Sequence, residues 1–87
     1  MPIAVRQILP TPNPNALKFL LDQKVSDATL SFFDAAHAAA HPLASKLMAV
    51  AGVNNVMLLG DFLTIGKHPQ SRWPDIKKQV LEILAQA

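Results

Sequence analysis

The order of apolar and polar positions divides the chain into short period-two stretches and two stretches of helical period. Ile3, Val5 and Leu9 fall on one side of residues 3–9 and Arg6 on the other, a strand pattern. Leu17, Phe19 and Leu21 alternate with Lys18 over 16–21 in the same way. Between them lies PTPNPN. Each residue before a proline is pushed out of the helical region. Pro14-Asn15 suits the centre of a β-turn, because proline presets φ and asparagine tolerates positive φ. The two strands are therefore expected to form a wide hairpin. Residues 22–27 are polar and read as a loop. Residues 28–33 alternate Thr29, Ser31 and Phe33 against Ala28, Leu30 and Phe32, a short third strand.

Helical character begins after this point. Asp34 is placed to accept from the free amides of a first turn, and AAHAAAH follows it, rich in the best helix former. Pro42 ends that turn and opens the next helix. In this second helix Leu43, Ala44, Leu47, Met48 and Ala51 recur at helical spacing, a core-facing stripe. Gly52 supplies its stop. Residues 53–59 are nearly continuous in apolar residues after Asn55, as in a strand buried on both faces. Gly60-Asp61 matches a type II′ turn. Its partner strand, 62–67, sets Phe62 and Thr64 against Leu63 and Ile65. A loop follows to Ser71, a cap for the last helix, and Pro74 falls in the first turn, where a missing amide does no harm. Trp73, Ile76, Val80, Ile83, Leu84 and Ala87 share one face of that helix, and Asp75 lies at the positive end of its dipole. The order is β-β-(β)-α-β-β-α. The expected architecture is α+β: a small, mostly antiparallel sheet with two main helices on one face.

Composition narrows the function classes. Eighty-seven residues, 51% of them hydrophobic, make a single domain over 1–87 that buries about two-thirds of its unfolded surface. The absence of cysteine removes disulfides and thiolate metal sites. No apolar run approaches the roughly 18 residues of a membrane span and no signal-peptide pattern opens the chain, so a cytoplasmic protein that does not enter a membrane is expected. The net charge of +2 comes from scattered basic residues, without the basic, aromatic-interleaved stripe of a nucleic-acid surface. The three glycines form no phosphate-cradling loop, and no nucleophile–base set is visible. The chain does not read as an enzyme.

The groups that could carry chemistry are few. Asp34, His37 and His41 have i, i+3, i+7 spacing, and histidines at i, i+4 of one helix can share a metal such as iron. The alternative is a solvated alanine-rich turn, favoured by Pro42, which disfavours helical geometry at His41. Thr11, Asn13 and Asn15 either face a partner or tie their own loop to the backbone. Asp61 most simply serves its turn. Lys67 reads as a solvated edge charge that discourages strand pairing, and Asp61 and Lys67 join Thr11, Asn13 and Asn15 as candidates for contact with a partner. Trp73, on the apolar stripe, reads as core.

Two stretches resemble a known family. TPNPNALKF (11–19) is similar to the opening of the Nfu/NifU N-terminal domain, and PLASKLMAVAGVNNVMLLGDFLTIGK (42–67) to its second block. The resemblance implies a compact α/β domain of iron–sulfur cluster biogenesis. In longer members it precedes a domain whose Cys-x-x-Cys pair binds the cluster. With no cysteine here, cluster ligation does not carry over. The resemblance then implies a stand-alone accessory domain that contacts iron–sulfur cluster assembly proteins, among them a separate Cys-x-x-Cys domain. His41 stands where the family has serine, which implies a weaker helix cap.

Overall fold

The computed structural model describes residues 3–86. Its strands are β1 (Val5–Pro10), β2 (Ala16–Leu21), β3 (Ser26–Phe32), β4 (Val53–Gly60) and β5 (Phe62–Lys67); its helices are α1 (Ala35–Ala38), α2 (Pro42–Met48) and α3 (Trp73–Ala85). The strands form one sheet in the order β1-β2-β5-β4-β3, and every neighbouring pair is antiparallel. The expected α+β architecture is therefore present, with the third strand beginning two residues earlier than expected and ending before Phe33, and the alanine-rich turn forming a short helix of its own.

Strand pairing assigns the two faces. Phe19, Leu21, Val56, Leu58, Leu63 and Ile65 point inward and join Ala38 of α1, Ala44 and Leu47 of α2, and Ile76, Val80 and Leu84 of α3 in a single core. At about 25 cal/mol per Å2 of apolar surface removed from water, these side chains provide the main drive for folding. The outward face carries Lys18, Leu20, Met57, Leu59, Phe62 and Thr64, none of them fully buried. There the Lys18 ammonium lies 4.1 Å above the centre of the Phe62 ring. The expectation that residues 53–59 are buried on both faces is thus corrected. Helices cover one face only, and Met57 and Leu59 stay half-buried on the other.

Register shifts explain the other departures from simple alternation. Val5 pairs with Leu21 but Gln7 with Leu20, so Arg6 is an extra residue. A bulge of this kind reverses the sidedness beyond it. Ile8, not Leu9, consequently packs on the core beside Ile3 and Val5. The pairing of β3 with β4 is also irregular between Ser26 and Leu30. Both edge strands are interrupted in this way, which blunts their capacity to pair with another chain.

The turns and helix ends agree with their chemistry in most places. Ala16 N–H donates to Asn13 O at 3.0 Å, closing a β-turn on Pro14-Asn15. No non-glycine among the described residues has positive φ, so Asn15 does not use its tolerance for that region. Gly60 has φ +58° while Asp61 does not, as a II′ turn requires. Gly52, at φ +93°, was expected to stop α2 but lies in the turn that leads into β4; α2 is closed earlier, with Ala49 as its C-cap. Because α2 stops at Met48, Val50 takes the buried place expected of Ala51, which is exposed. The last helix is entered through Arg72, with no side-chain cap, and not through Ser71. The expected place of Ala87 on its apolar face lies outside the described residues. No helix among those residues is long and apolar enough to cross a membrane.

One close approach yields a test of the β4–β5 register. Gly66 pairs with Asn55, and a Cβ at Gly66 would fall 2.2 Å from the Asn55 amide nitrogen. That nitrogen already donates to Asn54 Oδ1 at 2.6 Å. Gly66→Ala is therefore expected to cost about 1–3 kcal/mol through overpacking, and adding Asn55→Ala should recover part of it. Urea denaturation of the two variants checks this; a single variant as stable as the parent would mean that Asn55 does not lie across the glycine.

Candidate functional site

The proline-rich loop between β1 and β2 is short of donors, since Pro10, Pro12 and Pro14 have no N–H. Its carbonyls are satisfied from elsewhere. Asn13 O accepts from Ala16 N–H at 3.0 Å and from the Thr11 hydroxyl at 2.9 Å. Pro14 O accepts from the Trp73 indole N–H at 3.2 Å. Asn15 O accepts from Lys67 N–H at 2.8 Å. Three successive carbonyls are thus held by the loop itself, by the start of α3 and by the end of β5.

Polar side chains complete the fastening. Thr11 Oγ1 also reaches Ala16 O at 3.1 Å and accepts from Asn13 N–H at 3.1 Å. Asn13 Oδ1 accepts from Asn15 N–H at 2.9 Å, the local bond to which short amide side chains are suited. Asn15 Oδ1 accepts from the Lys67 ammonium at 3.0 Å. The same ammonium donates to His68 O at 3.3 Å and lies 5.7 Å from the centre of the Trp73 ring.

Lys67 is the main correction to the sequence reading. It was expected to be a solvated edge charge. It lies instead on β5, the central strand of the sheet, with only 8% of its surface exposed. The pattern missed this because residues 62–67 do not reveal their neighbours: β2 on one side and β4 on the other take up both edges of the strand. Trp73 was assigned to the core. It does pack there, and in addition its N–H holds the loop. The signal available in the sequence was the donor deficit of PTPNPN, which calls for a side-chain donor from outside.

The remaining candidates do not join this cluster. Asp61 is exposed in the turn at the opposite end of β5, about 20 Å away at the usual strand rise. Its carbonyl accepts from Leu21 N–H at 2.8 Å. Asp34, His37 and His41 lie beyond the edge strand β3. The Asp34 carboxylate caps α1 by accepting from His37 N–H at 2.6 Å. His37 and His41 flank the ring of Phe32, with centroids 6.2 and 5.8 Å away. His41 Nδ1 accepts from Ala44 N–H at 3.2 Å, so the residue expected to weaken the α2 cap provides it. Among the described residues no group of three or more His, Cys, Asp or Glu is gathered as a metal site.

The profile of the family described as "Scaffold protein Nfu/NifU N terminal" matches residues 6–87. The "NFU1 iron-sulfur cluster scaffold homolog, mitochondrial" of Drosophila sechellia is 37% identical over 97% of this chain and 32% of its own length. The "Conserved virulence factor C" of Staphylococcus haemolyticus is 30% identical over 92% of this chain and 22% of its own length. The solution structure of a NifU-like protein from Saccharomyces cerevisiae superposes with a TM-score of 0.82 at 29% identity, over 98% of this chain and 77% of that one. The chain therefore spans about a third of the first of these relatives.

Two outcomes test the placement of these side chains. Trp73→Phe keeps a ring and deletes one donor, so it should cost about 0.5–1.5 kcal/mol. It should also speed hydrogen exchange of the Lys67 amide while leaving Phe19 and Leu63 unchanged; unchanged exchange at Lys67 would detach Trp73 from the loop. His41→Ala should cost about 1 kcal/mol as a lost cap, and His41→Ser should restore it. Denaturation midpoints that do not differ among the three chains would leave the imidazole without a capping role.

Proposed function

This chain belongs to the family described as Scaffold protein Nfu/NifU N terminal, and from that membership we propose that it serves iron–sulfur cluster assembly as a non-catalytic module of protein contact. The observation that carries this reading is the family match across residues 6–87. Two features of the chain give it its particular form. The sequence holds no cysteine, so it offers no thiolate to the iron of a cluster. Its polar side chains near the proline-rich loop are spent on fixing the loop's shape, which makes that end of the sheet a rigid surface.

In this role the cluster is cargo held by cysteine-bearing domains, and the described residues of this chain supply shape and charge to the contact. Its partners are cluster-assembly proteins, and a domain with a Cys-x-x-Cys pair is the form of carrier the reading calls for. Preorganisation supports such a role, because a surface already held in place loses little conformational freedom on binding. The loop, held in place by Lys67 and Trp73, forms the part of the surface to which we assign the contact.

Affinity capture on the folded chain, from extracts of cells grown with ample and with limiting iron, tests this function. Enrichment of cluster-assembly proteins over a control domain of equal charge is the expected result. Their absence under both growth conditions would remove the assignment.

A further inference from the structure

Helices cover one face of the sheet, and the other face is not the polar surface that a solvated antiparallel sheet commonly carries. Its middle row runs Leu20–Phe62–Leu59 across three neighbouring strands, since Leu20 pairs with Phe62 and Phe62 with Leu59. Leu9 and Met57 extend the apolar area in the adjoining row. There Leu9 stands opposite Lys18, Lys18 opposite Thr64 and Thr64 opposite Met57. All five apolar side chains are half-buried, so solvent still reaches each of them. A contiguous apolar area on a surface marks a place of contact.

The charges around the row decide what can cover it. On one side stands Lys18, two positions before Leu20, with its ammonium 4.1 Å above the centre of the Phe62 ring. On the other side stand Asp22, two positions after Leu20, and Asp61, next to Phe62, both exposed. Lys24 and Asp27 beyond them are paired to each other, and Arg6 is exposed on the edge strand, one strand out from Leu20. The face thus runs from a cation, across an apolar row, to carboxylates. A covering surface must present the reverse order. The same face does so when it is turned about a two-fold axis laid along the row: the row meets itself, and Lys18 of each copy comes over Asp22 and Asp61 of the other. Self-complementary pairing of this kind is the commonest form of self-association. We propose that this face docks a second copy of the chain, through the Leu20–Phe62–Leu59 row and reciprocal Lys18–Asp61 pairs. Strands of 6 to 8 residues, about 4.8 Å apart, offer about 450 Å2 of face per copy. A stable complex buries roughly 800 Å2 per partner, so the association is transient, with a Kd above about 10 µM. The surface is separate from the loop end assigned above, and the inference goes beyond that role.

A dilution series of the parent chain is the first test and needs no variant. Sedimentation velocity and amide NMR shifts are followed from about 10 µM to about 1 mM. The expected result is a rise toward the dimer mass, with shifts confined to the outward rows of β2, β4 and β5 and a weaker association at high salt. Charge exchange is the second test. Asp22 already accepts from Ala4 N–H at 3.1 Å, so Asp61 is the carboxylate to vary. Lys18→Glu and Asp61→Lys each set like charges against one another and should each weaken association about tenfold. An equimolar mixture of the two should regain it, because every reversed charge then meets its opposite. Lys18→Gln and Asp61→Asn, which remove charge without reversing it, should act in the same direction to a smaller extent. Leu59→Gln should weaken association with both charges in place. Each variant is compared at concentrations where its amide spectrum is that of the folded parent. A parent that stays monomeric at about 1 mM, shifts that fall on the proline-rich loop instead of the strands, or a mixture no better associated than its components would each overturn the proposal. The series uses this chain alone, so its outcome is independent of the affinity capture.

Discussion

The end of the molecule that carries the proline-rich loop depends on how one cation is kept out of water. Lys67 sits on the central strand with 8% of its surface exposed, and three parts of the chain converge on it. β5 supplies the residue, the β1–β2 loop supplies Asn15, and α3 brings the ring of Trp73 alongside. These segments are far apart in sequence, with Lys67 and Asn15 separated by 52 positions and Trp73 and Pro14 by 59. Such contacts form late relative to local ones, because the loop-closure entropy must be met first. They also couple the loop to the core. The loop cannot move without releasing a strand end and a helix start together.

The same economy of donors governs the rest of the fold. A sheet covered on one side has an inward face that alternates cleanly with an outward face left to solvent. Five strands arranged in this way have two free edges, and both edge strands are interrupted, β1 at Arg6 and β3 between Ser26 and Leu30. The interruption in β1 has a second effect. By turning Ile8 inward in place of Leu9, it brings Ile3, Val5 and Ile8 against the core, although no uniform alternation contains all three.

How much of this could be read in the sequence follows from the range of the forces involved. Local rules located β2 and β5 to the residue, the cap at Asp34, the proline that opens α2 and the II′ turn at Gly60. Each depends on a few neighbouring residues, and those are visible in a single chain. Leu9, Ala51, Ser71 and Lys67 were misplaced because their surroundings are decided elsewhere: by a bulge paired to another strand, by where a helix stops, and by the order of strands in the sheet. The candidate site shows the same division. Thr11, Asn13 and Asn15 were legible as a loop that bonds to itself. The joining of Asn15 to Lys67 and of Pro14 to Trp73 was not, since hydrogen bonds over such separations leave no periodic trace.

What remains free after folding decides what kind of function the chain can hold. Thr11, Asn13, Asp34 and His41 each already accept from a backbone amide. To take up a ligand through the same atom, a capping side chain must first give up a bond worth about 1 kcal/mol to its helix. The two histidines at i, i+4 flank Phe32 as ring partners, so their spacing serves packing. Lys67 differs from all of these. Its ammonium bonds Asn15 Oδ1 and His68 O and faces the Trp73 ring, and burial strengthens each of these electrostatic contacts. These side chains are thereby committed to holding the fold, and the loop end is fixed through Asn15, Lys67 and Trp73 together.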